Sequence, residues 1–154
     1  MELSEILKPS AVKSIGQSVS KKRLLQELSA LAAELYDIDE NTAFDALQER
    51  ESLGPTGVGE GIAIPHARIE GLKSVVAVFF RLEKPMEYDS VDRIPVDLIF
   101  TLFAPMDSGV DHLKALAVVS RLLRQPSVRA KLRANDDPSV LYTILTEVNA
   151  SKAA

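Results

Sequence analysis

Two stretches, Val75-Val76-Ala77-Val78-Phe79-Phe80 and Val96-Asp97-Leu98-Ile99-Phe100-Thr101-Leu102-Phe103, constrain the fold more than any other part of this 154-residue chain. Both are short, β-branched and aromatic, and apolar at consecutive positions instead of alternate ones. Strands of that kind need cover on both faces. Pro95 and Pro105 bound the second. Between the two, Lys84 to Arg93 carries Pro85, Tyr88 and several charges, which predicts a connection with at most a short edge strand.

The cover comes from amphipathic helices. Ser20 is placed to cap one in which Leu24, Leu25, Leu28, Leu31, Ala32 and Leu35 recur at three- and four-residue spacing. A second follows Asp39 to Asn41, with Ala43, Phe44 and Leu47 inward, Gln48, Glu49 and Glu51 outward, and an end near Ser52. Ser108 and Asp111 resemble a capping box for a third, whose apolar stripe reads Leu113, Leu116, Ala117, Ser120 and Leu123, with His112 in its first turn. Pro126 and Pro138 each suit the first position of a later helix, the last with Val140, Leu141, Ile144, Leu145 and Val148 on one side. The pattern predicts an α/β fold, a mixed β-sheet with helices on both faces, in one domain over residues 1–154.

With 46% hydrophobic residues such a domain can bury a core without cross-links, and it has no cysteine with which to make them. Thiolate metal sites and cysteine nucleophiles are excluded for the same reason. A net charge of -4 argues against nucleic acid or an anionic membrane as main partner. The longest apolar run, Val75 to Phe80, is far short of the roughly 20 residues of a membrane span, and Met1-Glu2-Leu3-Ser4 does not open a targeting segment. A cytoplasmic location and no membrane insertion are expected.

The least random segment is Gly54-Pro55-Thr56-Gly57-Val58-Gly59-Glu60-Gly61, which holds four of the seven glycines, followed by Ile62-Ala63-Ile64-Pro65-His66-Ala67-Arg68. Glycines admit positive φ and let backbone N–H groups approach an anion, so the segment reads as a phosphate loop or as a plain tight turn. Glu60-Gly61 stands where a nucleotide P-loop needs Lys and Ser or Thr, and an extended segment follows where a dinucleotide fingerprint needs a helix. Neither nucleotide motif fits. The loop can instead serve His66, one of only two histidines, held after an apolar strand and a rigid Pro65. A neutral imidazole is a competent phosphoryl acceptor near pH 7. By itself, such a histidine serves equally as a hydrogen-bonded structural residue.

The string Gly61-Ile62-Ala63-Ile64-Pro65-His66 resembles the active-site signature of enzyme IIA components of the bacterial phosphotransferase system, fructose/mannitol class, and most of all their nitrogen-regulatory branch. Arg50-Glu51-Ser52-Leu53-Gly54, Pro95-Val96-Asp97-Leu98-Ile99-Phe100 and His112-Leu113 extend the likeness over nearly the whole chain. The resemblance implies that His66 accepts a phosphoryl group from an HPr- or NPr-type phosphocarrier in a relay that starts at phosphoenolpyruvate, with no cofactor. It also implies that His112 is a second active-site histidine, with Arg50 and Glu60 around it. In the nitrogen branch the phosphorylation state governs binding to regulatory partners such as kinases or transporters. In the sugar-transporting relatives the group passes to a IIB domain.

Residue chemistry agrees in part. A helix N-terminus favours neutral His112 and a nearby phosphate. Arg50 offers a guanidinium fork for phosphate oxygens, or is a solvated helix-end cation. Glu60 could orient a histidine, yet its charge repels an incoming phosphoryl group. The resemblance gives Arg68 no role. Binding alone, without onward transfer, is a third reading, in which a phosphoryl group on His66 switches affinity for a partner. A metal site built from His66, His112 and Glu60 or Asp111 lacks any compact ligand spacing. The basic run Arg121, Arg124, Arg129, Lys131, Arg133 has no aromatic partner for base stacking and reads as a solvated surface, as does Lys21-Lys22-Arg23.

Overall fold

The computed structural model describes the backbone of residues 1–153 and the side chains of residues 1–147. In chain order the elements are α1 (Leu3–Ile6), β1 (Leu7–Ile15), α2 (Lys21–Tyr36), α3 (Glu40–Ser52), β2 (Gly57–Gly59), β3 (Ile62–Ala63), β4 (His66–Ile69), β5 (Val76–Met86), β6 (Val96–Pro105), α4 (Gly109–Leu123), α5 (Pro126–Arg133) and α6 (Pro138–Ala153). The strands form one mixed sheet ordered β1-β5-β6-β3-β2, with β4 also paired to β6. β1 runs parallel to β5, β3 and β4 run parallel to β6, and β5 and β6 are antiparallel. Helices α2 and α3 pack on each other and on β5, β1 and β4, while α4, α5 and α6 pack together and meet β6, β5 and β1. This is the expected α/β class.

The two apolar runs are the central pair. Val76 to Phe80 and Leu98 to Ala104 are buried, and the directly opposed Phe79 and Phe100 meet with ring centroids 6.0 Å apart in a tilted arrangement. Such a pair adds about 0.5–1.5 kcal/mol to the area it buries. β5 runs on through Pro85 to Met86, further than its sequence suggests, because a register irregularity after Arg81 lifts Pro85 out of the ladder. β1 carries no signal in sequence. Its burial at Leu7, Ala11 and Val12 is not alternate, since an irregularity between Leu7 and Val12 breaks the period of two.

Helix starts follow their caps. Ser20 accepts from Arg23 N–H at 3.1 Å and Asp39 from Thr42 N–H at 2.9 Å, while α5 and α6 each open on their proline. The box at Ser108 does not form. Its hydroxyl donates to Pro105 O at 3.0 Å, and no side chain caps α4. The α4 stripe is also rotated. His112, Ala115, Val119, Leu122 and Leu123 are buried, whereas Leu113 is exposed, so the face that α4 turns to its neighbours β6, α5, α6 and α1 is offset from the expected one. In α6, Leu141 and Leu145 are buried, and Val148 lies outside the described side chains. Among the described residues, no helix is long and apolar enough to cross a membrane.

The basic run is not merely a solvated surface. Arg129 donates to the carbonyls of Leu123 at 3.0 Å and Arg124 at 2.7 Å, which caps the C-terminus of α4. Arg133 grips Asp97 with Nε at 2.9 Å and Nη2 at 3.0 Å, and Nη2 also reaches Glu60 O at 2.6 Å. That grip fixes the β2–β3 hairpin. Glu60 and Gly61 form its two-residue turn with φ of 59° and 79°, the primed geometry that suits strand twist. Gly61 also sits against the clamp, so an added Cβ would stand 2.5 Å from Arg133 Nη2 and 3.0 Å from Asp97 Oδ1. Gly61→Ala is therefore expected to cost about 1–3 kcal/mol, through positive φ and the clash together, read as a lower urea midpoint at unchanged slope.

Candidate active site

β3 and β4 are one strand interrupted. Ile62 lies opposite Leu98 and His66 opposite Leu102, so the register along β6 is unchanged across the gap. Pro65 has no N–H to give, but its carbonyl still accepts from Leu102 N–H at 3.0 Å. At this break the His66 ring turns back on the chain, and Nδ1 lies 2.9 Å from Ile64 O. A carbonyl only accepts, so Nδ1 carries the hydrogen and Nε2 keeps a lone pair. Burial depresses the His66 pKa below the usual histidine range, against the Ile64 bond, with a further lowering from the Arg50 charge and an opposing one from Glu51. The ring is neutral at pH 7.

His112 comes from the first turn of α4 and meets His66 with ring centroids 5.5 Å apart, tilted by 51°. It is buried, and its Nδ1 has no hydrogen-bond partner. Its pKa is also depressed, first by burial and then by His66 and Arg68. With Ser108 giving no cap, the first N–H groups of α4 keep the partial positive charge of a helix start. Arg50 reaches the site from the last turn of α3. Its Nη1 donates to Gly54 O at 3.0 Å, which ties the helix end to the glycine loop, and its charge acts on His66.

Of the four residues singled out from sequence, His66, His112 and Arg50 converge and Glu60 does not join them. The Glu60 carboxylate is 70% exposed, and its ion-pair partner is Arg129 at 4.0 Å. The Glu60 backbone is held at the hairpin turn by Asp92 Oδ2, which accepts its N–H at 2.9 Å, and by Arg133. Among the described residues, no cluster of three or more His, Asp or Glu is placed to hold a metal ion.

Sequence reading missed Glu51. Expected outward, its carboxylate is only 7% exposed and accepts from Lys21 Nζ at 2.7 Å, from Thr56 N–H at 2.8 Å, from Thr56 Oγ1, and from the Tyr88 hydroxyl at 3.1 Å. Lys21, far from being a solvated charge, lies 4.4 Å over the Tyr88 ring. Burial, then the neighbouring Glu51 charge, pushes the Tyr88 hydroxyl pKa up, so it stays a donor. The signal was available. Ala43, Leu47 and Glu51 recur every four residues and so share one helix face. The network ties α2, α3, the loop at Thr56 and the segment after β5 into one support behind Arg50.

Residues 5–148 match the model of the family described as phosphoenolpyruvate-dependent sugar phosphotransferase system, EIIA 2. The chain is 43% identical over 153 residues to a nitrogen regulatory protein of Bradyrhizobium diazoefficiens, covering 99% of this chain and all of that protein. It is 35% identical over 130 residues to the fructose-specific EIIA component of a phosphotransferase system in Haloferax volcanii, covering 84% of each. The crystal structure of nitrogen regulatory protein IIA-Ntr from Neisseria meningitidis superposes with a TM-score of 0.88 at 35% identity, over 94% of this chain and 99% of that one. An imidazole pair formed by a strand histidine and a helix-start histidine, a glycine hairpin ahead of it and matches of this extent lead to one assignment: the chain belongs to the EIIA 2 family of the phosphoenolpyruvate-dependent phosphotransferase system.

Proposed function

We propose that the protein is a phosphohistidine carrier of the nitrogen-regulatory kind, which takes a phosphoryl group on Nε2 of His66 from an HPr- or NPr-type phosphocarrier. The observation that carries this reading is the His66 ring itself: Nδ1 is committed to Ile64 O, leaving Nε2 as a neutral nucleophile beside His112. In the transfer, the Nε2 lone pair attacks phosphorus as the donor's P–N bond breaks, and that electron pair returns to the donor ring. If the donor leaves from its cationic form, no proton need move. The donor becomes a neutral imidazole and the positive charge passes to the His66 ring, whose Nδ1–H stays on Ile64 O.

The surroundings supply what such a group needs. The Arg50 guanidinium and the open start of α4 offset the phosphoryl charge. Leu53 at the end of α3 and Val110 and Leu113 on α4 are exposed next in the chain to the segments that carry Arg50 and His112, and offer apolar surface to a docking carrier protein. The phosphorylated and free states then differ in charge at His66, which suits a switch for regulatory partners. A second reading, transfer onward to a sugar-transport IIB domain, is favoured by the likeness to a fructose-specific component. Incubation with phosphoenolpyruvate, the upstream proteins and a IIB domain separates the two. An acid-labile mass increment of one phosphoryl group supports the carrier reading, and its discharge by the IIB domain would favour the second.

The depressed pKa of both histidines sets a pH dependence. Acceptance is expected to fall less between pH 7.5 and about 6.5 than it would for an ordinary histidine, which is already half protonated at the lower value. Arg50→Gln removes a charge that lowers the His66 pKa, so its acid limb moves toward neutral pH, measurable by NMR titration of the ring. Stability follows the same sign. The unfolded chain binds more protons than the folded one below about pH 6.5, so this contribution is present above that pH and lost as pH falls through the lowered folded values.

A further inference from the structure

Arg68 follows His66 by two residues on β4, and the two leave the same face of the strand while Ala67 and Ile69 enter the core. Its guanidinium is tethered at one corner only. Nη1 donates to the carbonyls of Pro105 and Met106, each at 3.3 Å. Those carbonyls sit at the end of β6, just before the turn into α4, so the tether holds the cation on the side of the site from which His112 enters. The charge is felt there, since it contributes to the lowered pKa of His112. Among the described residues no carboxylate forms an ion pair with Arg68, and its Nε and Nη2 have no protein acceptor.

A tethered guanidinium with two unused donors, on the strand face of a phosphoryl acceptor, has the geometry of a half-filled anion site. We propose that Arg68 is a second phosphoryl-binding cation, which donates from Nε and Nη2 to oxygens of the group on His66 from the His112 side, as Arg50 does from the α3 side. This rests on His66 being the phosphoryl acceptor. The planar fork matters as well as the charge, because two parallel N–H donors match two phosphoryl oxygens where an ammonium offers one point charge.

The alternative role for an exposed arginine beside the site is to attract the carrier protein, and one measurement separates the two. The overall equilibrium of phosphoryl transfer compares the free proteins with and without the group, so a residue that only aids docking cannot move it. Wild type, Arg68→Gln and Arg68→Lys would each be mixed with phosphorylated carrier protein, and the distribution of the group measured by intact mass at equilibrium and at early times. Arg68→Gln is expected to shift the equilibrium toward the carrier by roughly tenfold, the size of a charge-assisted hydrogen bond, with Arg68→Lys in between. An equilibrium within about twofold of wild type for Arg68→Gln, whatever its rate, would overturn the proposal, because that is below the effect of one such bond. If wild type itself takes no phosphoryl group on His66, the underlying reading fails instead. Arg68 is exposed, so either variant is expected to fold, as far-UV circular dichroism of both would verify.

Discussion

His66→Gln is expected to abolish phosphoryl acceptance while the protein stays folded. An amide nitrogen is not a nucleophile, and no second imidazole replaces Nε2 at the β3–β4 break. Glutamine can still donate to Ile64 O, and the site is half-open, so the loss of stability should stay within about 1 kcal/mol. His112→Gln separates acceptor from support. Transfer should slow by roughly 10–1,000-fold, the range for removing one stabilising group, but the product should still carry its group on His66. Peptide mapping of the phosphorylated wild type and both variants reads the outcome. A wild-type rate in His66→Gln, or a group mapped to His112, would remove the basis for the proposed function.

The largest effect on stability is expected at Glu51. Glu51→Ala strips the acceptor from Lys21, the Thr56 N–H, the Thr56 hydroxyl and the Tyr88 hydroxyl at once. The Thr56 and Tyr88 hydroxyls lie 3.0 Å apart, so one can still donate to the other. The remaining buried donors left without acceptors, and a cation without its counter-charge, together cost about 2–4 kcal/mol, toward the lower end because Lys21 also keeps some contact with water. Equilibrium urea unfolding tests this, as a fall in midpoint. A change below about 0.5 kcal/mol, typical of surface sites, would show that the network does not hold the loop. The effect should reach function as well, since the loop anchored at Thr56 is the one to which Arg50 is bonded through Gly54. The folded fraction of Glu51→Ala should therefore accept a phosphoryl group more slowly than wild type. Glu51→Gln, which retains one acceptor oxygen, should lie between the two in both measurements.

Much of the framework could be read in the chain because it obeys local rules. Ser20, Asp39, Pro126 and Pro138 mark helix starts through groups that act within one turn. The runs at Val76 and Leu98 are apolar throughout because the sheet is covered on both sides. β1 is not legible in the sequence because its irregularity between Leu7 and Val12 breaks alternation, and the buried face of α4 is offset from its most apolar stripe because tertiary contacts, not periodicity alone, decide which side is covered. Arg129 and Arg133 looked like solvated charges because their acceptors, the α4 carboxyl end, Asp97 and the Glu60 carbonyl, are brought to them only by folding.

The candidate site divides in the same way. The chain alone determined the α/β class, the glycine hairpin and a histidine after proline, because strand pattern, positive φ and a missing N–H are properties of neighbouring residues. It could not determine which groups surround that histidine. His112 is brought 5.5 Å from His66, Arg50 is turned onto the loop, Glu60 is drawn to Arg129, and Glu51 is buried under Tyr88. Apart from the short reach of Arg50 to Gly54, each of these depends on residues far apart in sequence that folding brings together, and only the packed structure decides which charges share a low-dielectric space and which face water.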